Sequence, residues 1–156
     1  MPNLAMHVGE GVAGIFPGQY ATEADLLRAQ RIFEAGGRAI VLRDESLMDA
    51  VTAVSGSGPA YVFHFIEALR DAALALGFSE EQARLLAIET VVGAAALAAD
   101  STEDVTVLRQ RVTSKGGTTE AALNSLNADD FKAAILRAVR AAEARGRELG
   151  ELLGKD

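Results

Sequence analysis

The sequence VTSKGGTTE at residues 112–120 ends one predicted helix and opens the next. Its paired glycines allow a backbone bend that other residues resist. The helix that begins near Thr118 has first N–H groups without partners inside the helix, and its dipole adds partial positive charge there. With Lys115 alongside, this turn is typical of a site for a small carboxylate or phosphate. An ordinary helix cap, with Glu120 in the first turn, is the alternative.

A second glycine-rich stretch, SGSGPAY at residues 55–61, lies between two further predicted helices. Pro59 suits the first helical position, and Ser57 or Gly58 suits the cap. The stretch resembles a dinucleotide-binding fingerprint only superficially, because Tyr61 stands in place of the third glycine and the segment before it reads as helix. We therefore predict no cofactor phosphate site here, and we expect Tyr61 to pack rather than to bind a ligand.

Every periodic segment from Glu45 onward is helical. The sequence predicts helices at residues 45–54, 59–76, from 80 through 96, from Ser101 with Asp104 to before Thr113, 118–126 and 129–153. Ser79 and Gln82 form the capping-box pattern of the third helix. The expected core side chains are Met48, Phe63, Phe65 and Phe131. A chain of this size cannot bury so many apolar helix faces by itself, which favours an intertwined dimer.

The chain before Glu45 has a different character. Residues 11–16 and 38–42 have the content of strands, and residues 22–35 read as a helix capped by Thr22. Two strands and one helix leave a sheet face and an edge uncovered. The fold is therefore predicted to be mainly α: residues 1–44 form the tail of a larger α/β, Rossmann-like domain, and residues 45–156 form an all-helical domain.

Composition excludes several classes of function. A formal net charge of −7 and a pI near 4.9 disfavour nucleic acids and anionic membranes as partners. The chain has no cysteine, and its two histidines lack metal-ligand spacing, so no metal site is expected. The longest apolar run, from Thr90 to Ala99, is far shorter than the ~20 residues of a membrane span. No signal-peptide pattern begins the chain, so we expect a soluble, cytoplasmic protein.

The two motifs together resemble those of a known family. The stretches AVSGSGPAY (residues 53–61) and VTSKGGTT (residues 112–119) resemble the two signature stretches of the carboxyl-terminal domain of pyrroline-5-carboxylate reductase. The opening Met1-Pro2-Asn3, with VGEGV at residues 8–12, resembles the segment that closes the nucleotide-binding domain of that family. Lys115 stands where the family often has proline, which adds a charge beside the proposed anion site. The basic neighbours Arg109 and Arg111 are interpreted as solvated surface charges.

The resemblance implies a reaction and its residues. The family reduces 1-pyrroline-5-carboxylate to L-proline with NADPH or NADH, at a site between the nucleotide domain and helices of a dimer mate. The implied substrate-binding residues are Ser114, Gly116, Gly117, Thr118 and Thr119, with the backbone N–H groups of the last three holding the carboxylate. The Thr119 hydroxyl would bond the ring nitrogen and orient an already protonated imine. Met1, Pro2 and Asn3 would border the nicotinamide ribose.

The cofactor side leaves a second hypothesis open. No Gly-x-Gly-x-x-Gly after a strand occurs in the chain, so most of the nucleotide-binding domain is missing and the isolated chain is expected to be inactive. Whether this is a fragment, a naturally short chain or one completed by a partner stays open. The alternative function is a non-catalytic dimerisation or small-carboxylate-binding module. In both cases a homodimer or higher homo-oligomer is expected.

Overall fold

The structure, a computed structural model, describes residues 1–154. Its first part contains a 3₁₀ helix at Leu4–Val8 and the elements β1 (Gly11–Ile15), α1 (Glu23–Glu34) and β2 (Gly37–Val41). The helices that follow are α2 (Leu47–Val51), α3 (Gly58–Ala75), α4 (Glu80–Asp100), α5 (Val105–Arg111), α6 (Thr118–Ala128) and α7 (Phe131–Leu153). A π-helical turn, Thr52–Gly56, lies between α2 and α3. The mainly helical fold predicted from the sequence is confirmed.

The predicted strand-helix-strand unit is present. Strands β1 and β2 pair in parallel, with Gly11 opposite Gly37, and α1 supplies the crossover that parallel strands require. The hydroxyl of Thr22 accepts a hydrogen bond from the N–H of Asp25, and the Asp25 carboxylate accepts one from the N–H of Thr22. This capping box begins α1 where the sequence predicts. A Cβ atom on Gly37 would lie 2.0 Å from the carbonyl oxygen of Gly11, so the strands approach closely only with glycine there.

Several helix bounds differ from the sequence prediction. The helix predicted at 45–54 begins at Leu47 and gives way to the π turn after Val51. Helix α5 is capped by Asp104, whose carboxylate accepts a hydrogen bond from the Thr106 N–H at 2.8 Å. Ser101 lies before the helix, and its hydroxyl accepts from the Glu103 N–H instead. Helix α7 begins after Asp130, because this residue has a φ of 52° and so lies outside helical geometry. The Ser79 and Gln82 capping box of α4 is present as predicted.

The chain divides into two compact units. One comprises Met1–Val62 together with the chain from Ile135 onward, and the other comprises Phe63–Ala134. Both boundaries fall inside helices, α3 and α7. These units are defined by contacts within one chain. The domain boundary expected between residues 44 and 45 is a different division, and it stays a prediction.

The interior of a single chain is small. Its buried apolar residues are Ala13, Ile15, Ala53, Ala83 and Ala87. The prediction that Phe63, Phe65 and Phe131 are core residues is wrong for a single copy, because their side chains are between 39% and 56% exposed. Phe65 and Phe131 do pair with each other, with ring centroids 6.5 Å apart. One copy has too few elements to cover these rings.

Helix α4 is longer than its apolar run suggested. It spans 21 residues, and its length and composition alone would allow it to cross a membrane. Core helices of soluble proteins commonly share these properties. In this single chain only 11% of its most apolar stretch is buried, so its apolar surface needs cover from outside the chain.

Candidate functional site

The turn between α5 and α6 is the candidate site. The Thr113 hydroxyl donates a hydrogen bond to the Arg109 carbonyl at 2.7 Å and so satisfies one of the last carbonyls of α5. Gly116 has a φ of 73°, in the left-handed region that glycine tolerates. Gly117 is extended and forms the N-cap of α6. The two glycines therefore reverse the chain and aim it into the new helix.

The start of α6 leaves backbone donors available. Gly117 has no side chain, so no side-chain cap closes the helix. The Gly117 N–H donates to the Ser114 carbonyl at 3.0 Å, which occupies one of the donors predicted to hold the substrate carboxylate. Among the described residues, the N–H groups of Thr118 and Thr119 have no hydrogen-bond acceptor. These two donors, aligned with the positive end of the helix dipole, can receive an anion.

Ser114 and Gly117 are brought together by the turn. A Cβ atom on Gly117 would lie 2.4 Å from the Ser114 Oγ, so the hydroxyl lies against the first residue of the turn into α6. Ser114 and Thr118 are exposed, and Thr119 is half-buried. The predicted substrate residues thus occupy one short segment, in which the Ser114 hydroxyl lies against Gly117.

Charge at the turn is mixed. Lys115 is exposed and has no ion pair within the described residues. Arg111 forms a double contact with Glu103, the shorter at 2.6 Å, so its charge is neutralised away from the turn. The Glu120 carboxylate accepts a hydrogen bond from the Gly116 N–H. The turn therefore carries one cation and one anion of its own.

A cleft of about 220 Å³ adjoins this turn. It is lined by Arg109, Gln110, Thr113, Glu120, Leu123, Asn124 and Asn127. None of the predicted substrate-binding residues lines it. In a single copy Ser114, Lys115, Gly116 and Thr118 are exposed, so the predicted site is an accessible surface.

The opening segment lies against β1. Met1 and Gly14 exchange two hydrogen bonds, from the Met1 amino group to the Gly14 carbonyl at 2.6 Å and from the Gly14 N–H to the Met1 carbonyl at 2.9 Å. The Asn3 Oδ1 accepts from the Val12 N–H at 3.1 Å, and its Nδ2 donates to the Ser55 carbonyl at 3.0 Å. Both ends of the Asn3 amide are thus committed inside the protein. The Met1 amino group and carbonyl and the Asn3 carbonyl are also bonded inside the protein, so the segment can offer a cofactor the Pro2 carbonyl, the Asn3 N–H and the exposed surfaces of Met1 and Pro2.

Sequence reasoning missed two side-chain contacts of these segments. The contact of Asn3 with Ser55 joins residues 52 positions apart, and no local pattern signals it. The Glu120 contact with Gly116 spans four residues, so a carboxylate one turn after a paired glycine was an available signal. Within the described residues, no cluster of three or more His, Cys, Asp or Glu could hold a metal ion.

Comparison with known proteins identifies the family. A family model described as pyrroline-5-carboxylate reductase dimerisation matches residues 45–149. This chain belongs to the pyrroline-5-carboxylate reductase family. The matched region is the helical part that holds the glycine turn, and its description implies that the chain forms homo-oligomers.

Individual relatives agree with this assignment. The chain is 43% identical over 155 residues to pyrroline-5-carboxylate reductase of Pseudomonas aeruginosa, covering 99% of this chain and 57% of that protein. It is 45% identical to the enzyme of Methanosarcina acetivorans, covering 97% of this chain and 56% of that protein. The chain therefore spans just over half the length of these curated relatives.

Solved structures show the same fold. The pyrroline-5-carboxylate reductase of Coxiella burnetii superposes with a TM-score of 0.92 at 40% identity, over 96% of this chain and 55% of that one. The pyrroline carboxylate reductase of Plasmodium falciparum, solved with NADP bound, gives a TM-score of 0.87 at 34% identity, over 96% and 61% of the two chains.

Proposed function

We propose that this chain carries the substrate and dimerisation portion of an NAD(P)H-dependent pyrroline-5-carboxylate reductase, which reduces 1-pyrroline-5-carboxylate to L-proline. The observation that carries the proposal is the opening of α6. There the N–H groups of Thr118 and Thr119 lack acceptors within the described residues, beside a serine hydroxyl and a lysine. These groups suit the carboxylate of a small cyclic amino acid.

Each residue of the turn has a role in this proposal. The N–H groups of Thr118 and Thr119, with the Ser114 hydroxyl, hold the substrate carboxylate. The Gly117 N–H is shared, because it already donates to the Ser114 carbonyl. The Thr119 hydroxyl bonds the ring nitrogen and orients a protonated imine, since a threonine hydroxyl does not titrate near neutral pH. Gly116 supplies the chain reversal that sets these groups side by side.

The cofactor contributes the hydride when bound, and this chain contributes only an edge to it. Met1, Pro2 and Asn3 border the nicotinamide ribose in our proposal. The committed Asn3 amide limits that contribution to backbone groups and to the surfaces of Met1 and Pro2. Holding the nicotinamide and the imine carbon in the right orientation accounts for ~7–11 kcal/mol of the barrier to hydride transfer. The chain alone should therefore have no measurable turnover.

A homodimer or higher homo-oligomer completes the site. The turn is an open surface in one copy, and large apolar side chains of α3 and α4 are exposed. A second copy that covers these helices would also enclose the turn and exclude water from it. Enclosure strengthens the proposed hydrogen bonds, because they then act in a medium of lower dielectric constant.

A binding or dimerisation module without catalysis is the second candidate. It is favoured by the lack of a Gly-x-Gly-x-x-Gly stretch that follows a strand and opens a helix: the one match in the sequence, GEGVAG at residues 9–14, runs into strand β1 itself. The deciding assay follows NAD(P)H oxidation with 1-pyrroline-5-carboxylate, using this chain alone and joined after a dinucleotide-binding domain. Turnover by the joined protein alone supports the reductase, whereas inactivity of a folded, cofactor-binding joined protein supports the module.

Binding to the chain itself tests the site. We would titrate L-proline, pyrrolidine and cyclopentanecarboxylate while following backbone amide shifts by NMR. Proline and cyclopentanecarboxylate should move the amides of residues 114–119, and pyrrolidine should not. Thr119→Val should weaken proline binding by ~0.5–1.5 kcal/mol and leave cyclopentanecarboxylate binding unchanged. Thr118→Val is the matched control, and unmoved amides in the turn with both carboxylates would contradict the site.

A further inference from the structure

The π turn Thr52–Gly56 is the most unusual backbone element of the chain. The Ser57 N–H donates to the Thr52 carbonyl at 2.8 Å, five residues back rather than four. Single π turns inside helices are rare and are found frequently at functional sites. The change of register frees carbonyl groups that an α-helix would satisfy, so other donors must reach them.

Side chains supply those donors. Two bonds are local: the Thr52 hydroxyl donates to the Met48 carbonyl at 2.9 Å, which also accepts from the Thr52 N–H, and the Ser55 hydroxyl donates to the Val51 carbonyl at 3.0 Å. Two come from outside the turn: the Tyr61 hydroxyl donates to the Ala53 carbonyl at 3.1 Å, and the Asn3 Nδ2 donates to the Ser55 carbonyl at 3.0 Å. Ala53 is fully buried, so the Tyr61 bond satisfies a carbonyl to which water has little access.

The same turn supports the opening segment. Asn3 joins the Ser55 carbonyl to the Val12 N–H of β1 through the two ends of one amide. A Cβ atom on Gly56 would lie 2.8 Å from the Met1 Cε, so glycine at this position makes room for the Met1 side chain. Met1–Asn3 is therefore held between β1 and the π turn, with bonds or close packing to both.

We propose that Asn3 and Tyr61 are positioning residues, which hold the π turn and, through it, the backbone of Met1–Asn3. The inference rests on the proposed function, in which that backbone borders the cofactor. It assigns Asn3 an indirect role, because its amide is occupied on both sides. It also means that residues 52–61, within the matched dimerisation region, set the geometry of the cofactor-facing segment of the same chain.

Hydrogen exchange on the intact chain tests this without substrate or cofactor. Tyr61→Phe removes one hydroxyl that contacts neither Met1–Asn3 nor β1 in the described hydrogen bonds. We expect the Ser57 amide to exchange three- to tenfold faster and the Val12 and Gly14 amides, which bond Asn3 and Met1, to follow it. Tyr20→Phe is the matched control, since Tyr20 is 88% exposed, and it should change none of these rates.

A second variant and a reference amide decide the outcome. Asn3→Asp keeps an oxygen for the Val12 N–H but removes the donor to the Ser55 carbonyl, so it should also speed exchange at Ser57. The amide of Leu42, which donates to the Ile15 carbonyl at 2.8 Å within the same compact unit, reports the stability of that unit as a whole. Faster exchange at Ser57 alone, or equal acceleration at Leu42, would overturn the proposal. Failure here leaves the carboxylate site untouched, because that site is measured separately by titration.

Discussion

The Glu120 carboxylate accepts a hydrogen bond from the Gly116 N–H at 2.7 Å, across the turn that opens α6. The bond supports Gly116 in its left-handed conformation. It also places a negative charge next to the N–H groups proposed for the substrate carboxylate. The hydrogen bond of Glu120 therefore favours the shape of the proposed site, whereas its charge opposes carboxylate binding there. Substitutions at Glu120 can separate these two effects.

Glu120→Gln should tighten carboxylate binding, because the amide oxygen can still accept from Gly116 while the like charge is removed. The expected gain is ~0.2–1 kcal/mol in low salt, as for other partly exposed charge pairs, and it should shrink at high ionic strength. Calorimetric or NMR titration with L-proline measures it. Glu120→Ala is the matched variant that loses the bond as well, so tighter binding by Ala than by Gln would show that the bond has no role.

Gly117→Ala should destabilise the turn, because its Cβ would lie 2.4 Å from the Ser114 Oγ. We expect a loss of ~0.5–1.5 kcal/mol in the free energy of unfolding, the cost of an off-rotamer side chain, because the exposed Ser114 hydroxyl must rotate away. Adding Ser114→Ala removes the clashing hydroxyl, so the double variant should recover most of that loss in urea unfolding. Additive losses in this double-mutant cycle would contradict the contact.

Asp104 should make the stability of the chain depend on pH. Hydrogen bonds from Thr106 lower the pKa of Asp104, so the stabilisation it gives is present above its unfolded value of 3.8 and is lost as pH falls through the lower folded value. Asp104→Asn keeps the helix cap without a titrating group. Urea unfolding at about pH 6 and at about pH 2, roughly two units either side of the ordinary aspartate pKa, should show a smaller loss of stability in the variant. If the variant had the same pH profile of stability as the natural chain, Asp104 would not contribute to that pH dependence.

Leu97→Lys should break the homo-oligomer. Leu97 is 69% exposed on α4 of a single copy, and burying an ammonium group against apolar partner surface is costly. Sedimentation at micromolar concentration should show assembly of the natural chain and a smaller species for the variant. Glu89→Lys adds a charge of the same sign at another exposed position of α4 and serves as the control. A natural chain that stays a folded monomer would contradict the proposed assembly.

Local signals predicted the elements that depend on local chemistry. Thr22 with Asp25 and Ser79 with Gln82 are capping pairs that close within one turn, and both begin helices as expected. Ser101 was an equally plausible cap for α5, but the Asp104 carboxylate lies one residue before the helix and takes that role. The helical pattern of the sequence does not distinguish two capping residues that lie three positions apart.

Features that depend on residues distant in the sequence were not predicted. The π turn requires donors from Asn3 and Tyr61, and its shift by one residue leaves the apolar pattern nearly intact. Phe63 and Phe131 were expected in the core because of their size, yet burial of such side chains here requires surface that one copy does not possess. The glycine turn was recognised because its residues are contiguous, whereas its enclosure depends on groups outside the described chain.

Among the described residues, the buried apolar side chains of one copy are four alanines and one isoleucine, so a single subunit has a small hydrophobic core of its own. We expect association with a second copy to add stability, which should then rise with subunit concentration. Dilution should therefore lower the free energy of unfolding of such a chain. Newly made subunits that have not met a second copy should be the preferred targets of proteases, and the abundance of the protein should set its lifetime.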